Sequence, residues 1–305
     1  MFHEISELHM VQADGAAPTP LAAGSAPGES GVFVFKQRFE RGGHVSATPR
    51  LHHICFHVIP SAHIDSRISG RVLSHRPSRG CLAICPCGAD YAAEGDGSTE
   101  SIIIAVDPKQ FALAAAESSA LDAELSERLS GYDQVLFDLA RSLAAERAAG
   151  HPRGPLLWND LASGFIHRLL VRHTSKSKGL PPGRLDKQKF ERVRDYILSH
   201  IGERIETAAL ATVADLSPFH FTRIFARSVG MTPYRYVVHL RLQRACELMR
   251  NRRHRLADIA AATGFSDQSH LSRWVRRVHG VSPSELMARS FRRATTPVGR
   301  SRLDG

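Results

Sequence analysis

Short apolar runs broken by glycine and proline fill the stretch from Val32 to about Asp107. Gly31–Phe35, Ile54–Ile59, Cys81–Cys85 and Ser101–Val106 alternate or cluster apolar residues over lengths that suit strands. Several short strands at this spacing predict a small barrel or a sandwich. After Pro108 the period changes. Val135, Leu136, Leu139 and Leu143 recur at helical spacing, and Gly150 stops that helix. A second helix carries Leu157, Leu161, Phe165, Ile166 and Leu169. These two helices can pair with each other, with a second subunit, or with their own strands; periodicity does not separate the three. Residues 174–185, TSKSKGLPPGRL, cannot continue a helix through Pro-Pro-Gly and read as a linker. Asp186 can then cap a helix with Phe190, Val193 and Ile197 on one face. Ahead of all this, residues 13–30 are rich in Ala, Gly, Pro and Ser, so 1–30 is expected to be a flexible lead-in.

The C-terminal third says nearly the same thing twice. Residues 210–233 read LATVADLSPFHFTRIFARSVGMTP, and residues 259–283 read IAAATGFSDQSHLSRWVRRVHGVSP. Leu210, Ala211, Leu216 and Ser217 match Ile259, Ala260, Phe265 and Ser266 at an offset of 49; Phe221, Arg223, Arg227, Gly230 and Pro233 match Leu271, Arg273, Arg277, Gly280 and Pro283 at 50. Each copy reads as a short helix, a tight turn, a capped second helix and a stop. Thr207–Val213 is the first leading helix, with Ala208, Ala209 and Ala211 small enough for a close crossing. Its turn needs a residue that tolerates positive φ: Asp215 in the first copy, Gly264 in the second. Ser217 caps the next helix with Pro218 at its first position, and Ser266 and Asp267 play that part in the second copy. Phe221, Ile224 and Phe225 face inward, as do Leu271, Trp274 and Val275. Gly230 and Gly280 end the helices. Tyr234–Met249, free of Pro and Gly, forms a linking rod of about 24 Å. Such a rod can set two recognition helices about one DNA turn apart, roughly 34 Å.

Charge follows the repeat. Of the chain's net +10, residues 184–305 carry 23 Lys and Arg against 11 Asp and Glu, while residues 1–183 carry 17 against 19. A basic domain joined to a near-neutral one suggests a polyanion-binding module with a companion. No apolar stretch reaches membrane-spanning length and no signal peptide is read, so five cysteines are expected as reduced thiols in the cytoplasm.

The segments LSPFHFTRIFARSVGMTPYRYVVHLRLQRACELM at 216–249 and GFSDQSHLSRWVRRVHGVSPSEL at 264–286 resemble the DNA-binding domain of the AraC/XylS family of bacterial transcription regulators. The resemblance covers roughly residues 187–290. Trp274-Val275 departs from the family's usual aliphatic residue followed by Phe, and Arg276 from its usual Lys; a local repacking is expected. By match to the motif, Phe219, Thr222 and Arg223 of the first recognition helix face DNA, as do Gln268, Ser269, His270 and Arg273 of the second. Arginine can pair with a guanine edge, glutamine with adenine, and Phe219 can meet a thymine methyl. Arg223 and Arg273 can also serve phosphates alone, and Ser269 and His270 can read through water or not at all. The run Arg250-Asn251-Arg252-Arg253-His254-Arg255 either neutralises phosphates or is a solvated loop.

The resemblance implies double-stranded DNA as partner, gripped in the major groove at adjacent half-sites. It further implies RNA polymerase as a partner in activation, a small-molecule effector and a homodimer. It makes the whole an α+β protein. A small cupin-like β-barrel with a helical pair (31–173) comes first. A linker (174–185) leads to an all-α domain of two helix-turn-helix units joined by a linking helix (186–293), then a flexible tail (294–305). Pro86-Cys87-Gly88 with Tyr91 is like a cupin element whose histidine is replaced, so a metal-dependent cupin enzyme is not expected, and neither a cofactor nor a metal is assigned. On a strand, His53, Cys55 and His57 share a face. They can line a ligand pocket, bind a metal, or simply be the polar side of a half-buried strand. Cys81, Cys85 and Cys87 allow a metal- or thiol-redox-sensing alternative, or are inert buried thiols. An alkyl-accepting repair enzyme would need Pro-Cys-His, and Cys87 is followed by Gly88. An architectural DNA binder without an effector is the remaining class.

Overall fold

In the computed structural model of the chain, residues 8–59, 63–176, 183–251 and 254–294 are described. Arg252 and Arg253 of the basic run, 177–182 of the linker and 295–305 of the tail lie outside them. The chain clusters into two compact units: 1–187 with 224–231, and 188–223 with 232–305.

The first unit runs β1 (His9–Gln12), β2 (Thr19–Gly24), β3 (Val32–Phe39), β4 (Gly43–Ala47), β5 (His52–His57), β6 (Ile64–Ile68), β7 (Arg71–His75), β8 (Cys81–Cys85), β9 (Tyr91–Gly95), β10 (Thr99–Val106), α1 (Pro108–Glu117), β11 (Ala123–Leu125), β12 (Arg128–Tyr132), α2 (Gln134–Ala148), α3 (Pro155–Arg172) and β13 (Thr174–Lys176). Two antiparallel sheets result, one in the order β12-β8-β5-β10-β3-β2 and one in the order β1-β4-β9-β6-β7, beside a short β11-β13 ladder. Period-2 alternation explains the six-stranded sheet. Ile54 and Phe56 of β5, Leu82 and Ile84 of β8, and Ile102 and Ile104 of β10 point to one face. There they pack with Leu136, Leu143, Trp158, Phe165 and Leu169 of α2 and α3 in one core. The two helices therefore cover their own sheet and each other.

Two expectations change here. The described strands form two open sheets rather than a closed barrel. The six-stranded ladder ends at β2, which carries Pro20 and an irregularity between Pro20 and Ala22, features that suit an edge. The expected lead-in at 1–30 holds β1 and β2. The small, proline-bearing sequence TPLAAG still donates and accepts along β3, since an edge strand needs a ladder on one side only.

A buried ion cluster ties the helices to the strands. Asp133 caps α2 by accepting from Leu136 N at 3.1 Å, and its carboxylate also meets Arg168 Nε at 2.9 Å and His173 Nε2 at 3.0 Å. Burial alone would raise this carboxyl; the bonds from Arg168, His173 and Leu136 outweigh it and hold it below the usual carboxylate range. Its stability contribution is therefore complete above the unfolded value of about 3.9 and is lost as pH falls through the lower folded value. Asp133→Asn is expected to cost about 2 kcal/mol. That is less than for a fully buried pair, because Arg168 is half-exposed. Urea unfolding at pH 7 checks this, and the variant should also lose part of the wild type's acid sensitivity near pH 4 and below.

The second stretch holds α4 (Lys187–Ser199), α5 (Thr207–Val213), α6 (Pro218–Val229), α7 (Pro233–Asn251), α8 (Leu256–Ala262), α9 (Gln268–His279) and α10 (Pro283–Ala294). Phe190, Val193 and Ile197 of α4 are buried, as their spacing predicts. The linking helix α7 is one turn longer than read from sequence, about 28 Å. Its Val238, Leu242, Cys246 and Met249 pack with Ile259 of α8 and with Leu271 and Val275 of α9.

Candidate nucleic-acid interface

The first helix-turn-helix is α5, the Ala214–Ser217 turn and α6. Asp215 sits at φ +55°, the left-handed conformation the turn demands, and Arg192 Nη2 of α4 donates to its carboxylate at 2.8 Å. Ser217 Oγ accepts from His220 N at 3.4 Å, and Pro218 opens the helix. Phe221, Ile224 and Phe225 are buried. That leaves Phe219, His220, Arg223 and Arg227 on the opposite side, all exposed. Phe219 is 82% exposed, far beyond what an inward role allows. Thr222 is half-buried and its hydroxyl donates back to Pro218 O at 2.8 Å, so only its lone pairs face outward. His220 was missed in the sequence, although it lies beside Phe219 on the same face.

The second helix-turn-helix is α8, a turn at Gly264 (φ +75°) and α9. Asp267 is the cap: Oδ1 accepts from His270 N at 2.7 Å, which holds the carboxyl below its usual range, helped by Ser266 Oγ at 3.1 Å. Gly280 ends α9 in the left-handed conformation. Gln268, Ser269 and Arg273 are exposed, and so are Arg276 and Arg277 further along the helix. His270 is half-buried, and both its ring nitrogens are occupied, one by Ser266 just ahead of the helix and one by Trp274 within it. The Arg277 guanidinium lies over the Trp274 ring at 5.2 Å. With Arg276 and Arg277 in its last turn, α9 presents a polar and basic outer side for a polyanion.

In the first unit, the face of β5 opposite the helices carries His53, Cys55 and His57. Cys55 and His57 line a narrow cavity of about 50 Å³ between the two sheets, together with Gln37, Phe39, Tyr91 and Ile103. His53 is not among its lining residues; it pairs with Cys85 and Ala105 in the ladder. Burial, and then Cys81, push the Cys55 thiol up to about 12; burial, and then His75, push His57 down to about 4. Both are thus neutral near pH 7, and buried His57 Nδ1 has no hydrogen-bond partner. Burial also pushes Cys85 up to about 12 and Cys87 upward. Cys81 and Cys85 share a strand face, while Cys87 lies in the turn beyond it, its N–H donating to His52 Nδ1. Among the described residues no three His, Cys, Asp or Glu side chains group as metal ligands. An open cleft of about 600 Å³ over Ser46, Thr48, Arg67 and Asp90 was not legible in the sequence. No helix among the described residues is long and apolar enough to cross a membrane.

Comparison with known proteins bears on the C-terminal part. A family profile described as a helix-turn-helix domain matches residues 210–289. The probable transcriptional regulator LumQ of Photobacterium leiognathi is 36% identical over 104 residues, covering 32% of this chain and 42% of that protein. The MmsAB operon regulatory protein of Pseudomonas aeruginosa is 28% identical over 166 residues, covering 47% and 54%. The chain thus spans about half the length of the curated relatives it matches. A solved AraC-type DNA-binding protein from Chromobacterium violaceum is 26% identical, covers 36% of this chain and 96% of its own, and has a TM-score of 0.34. Residues 210–289 thus carry a helix-turn-helix DNA-binding domain of the AraC type.

Proposed function

We propose that this protein is a sequence-specific, non-enzymatic transcription regulator that binds adjacent half-sites of double-stranded DNA in the major groove. The carrying observation is the pair of capped recognition helices, one exposing Phe219 and Arg223 and the other Gln268, Ser269 and Arg273. Arg223 and Arg273 are assigned to guanine edges, Gln268 to adenine and Phe219 to a thymine methyl; Thr222 and Ser269 support them, and Arg276 serves phosphates. Residues 186–293 form the DNA-binding domain, and 31–173 the effector and dimerisation domain of a cytoplasmic homodimer. Activation through contact with RNA polymerase is the output that fits the family. DNA cleavage protection tests the reading: two protected stretches about one turn apart on one face of the duplex are expected, and uniform protection contradicts it.

The cavity between the sheets is the place for a small organic effector. Its lining is largely apolar with a few polar groups, Gln37, His57, Tyr91 and Glu94 among them, as such sites require. Its present volume is well under the roughly 300 Å³ of a drug-sized site, so the ligand is small or the sheets part to admit it. Ile103→Trp, which fills this space, is expected to abolish effector response in a reporter assay while leaving the DNA footprint intact. A response that survives moves the effector to another site, the Arg67 cleft first. The metal- or thiol-redox alternative draws no support from thiols held protonated by burial.

A further inference from the structure

The second recognition helix contains a one-way chain of hydrogen bonds. Trp274 Nε1 donates to His270 Nε2 at 3.1 Å. An indole can only donate, so Nε2 must be the bare nitrogen and the proton of a neutral ring sits on Nδ1. Nδ1 then donates to Ser266 Oγ at 3.1 Å, which leaves the serine hydrogen for Asp267 Oδ2, also at 3.1 Å. Asp267 Oδ1 closes the circuit by accepting from His270 N at 2.7 Å. The His270 ring is further held edge-on against Phe265, with ring centroids 5.4 Å apart. Every donor and the one ring lone pair are consumed inside the first two turns of α9. His270 therefore has neither an N–H nor a lone pair left for a base.

We infer that His270 does not read DNA but is a positioning residue. Trp274 fixes its tautomer, and the pair locks the cap so that Gln268 and Ser269 meet the base edges in one register. Trp274 thus sets specificity from the half-buried side of the helix. This rests on the DNA-reading function proposed above.

The test is selection of binding sites from a random duplex library by the full chain, as wild type, Trp274→Phe and His270→Asn. Trp274→Phe keeps an aromatic ring in place and removes the donor together with part of the ring's packing, and thermal melting of both variants reports the fold. A wild type that selects no motif overturns the DNA-reading function itself, whatever the variants do. Given a wild-type motif, discrimination at the base pairs under the start of α9 is expected to fall about fivefold or more in Trp274→Phe, as for loss of one well-made base contact. The rest of the motif and the salt dependence should stay as in wild type. An unchanged motif, with or without a uniform loss of affinity, overturns the positioning role. If Trp274→Phe melts early, His270→Asn carries the test on the same two outcomes, since losing the ring breaks the same chain.

Discussion

Gly264→Ala is expected to abolish DNA binding by unfolding the second helix-turn-helix. Gly264 holds φ at +75°, where an L side chain costs about 1 kcal/mol or more. Lack of space costs more than the backbone conformation. A Cβ there would lie 2.6 Å from Ile201 O and 2.7 Å from Arg241 Nε. Neither neighbour can yield cheaply, because Arg241 Nε donates to Ile201 O at 3.0 Å and its Nη2 bonds Glu203 O. Pushing the guanidinium aside breaks both bonds, one of them part-buried. Strain and overpacking together reach about 3 to 5 kcal/mol, a large share of a small unit's stability. Gly70→Ala is the control. It has the same sign of φ (+79°) but open space around it, and should cost only about 1 kcal/mol. Urea midpoints of the two variants check the contrast.

Removing the two arginines proposed to read bases, Arg223 and Arg273, is expected to have the second large effect. Arg223→Ala and Arg273→Ala should each weaken specific binding by about tenfold or more, and the double variant by the product if the two helices act on separate half-sites. Binding to non-specific duplex should change little. If the arginines met phosphates alone, specific and non-specific affinity would fall together, and the salt slope would become shallower by about one for each arginine removed. Titrations at two salt concentrations separate the two cases.

What could be read in the sequence was what repeats or punctuates. The doubled helix-turn-helix, its serine, aspartate and proline starts and its glycine stops survive because each is a local backbone requirement that one residue type meets. Asp215 at positive φ was foreseeable for that reason. The second sheet was not legible. In β6, IDSRI alternates, but its buried positions include Ser66; in β9, YAAEG offers little but alanine. Such strands are defined by partners far along the chain, and no local period announces them. Trp158, fully buried under α2 and the sheet, was overlooked because the leucines around it already supplied a plausible face. His270 was assigned outward on motif position alone. Its i,i+4 spacing from Trp274 was visible, but which nitrogen faces which donor depends on rotamers.

The measurement that bears most directly on the central claim is genome-wide DNA pull-down with the purified full-length chain, repeated with Arg223→Ala and Arg273→Ala. A sharp motif of paired half-sites, weakened by either substitution, is the expected result. Diffuse binding that ignores both substitutions would contradict it and leave a basic protein that holds DNA without reading it.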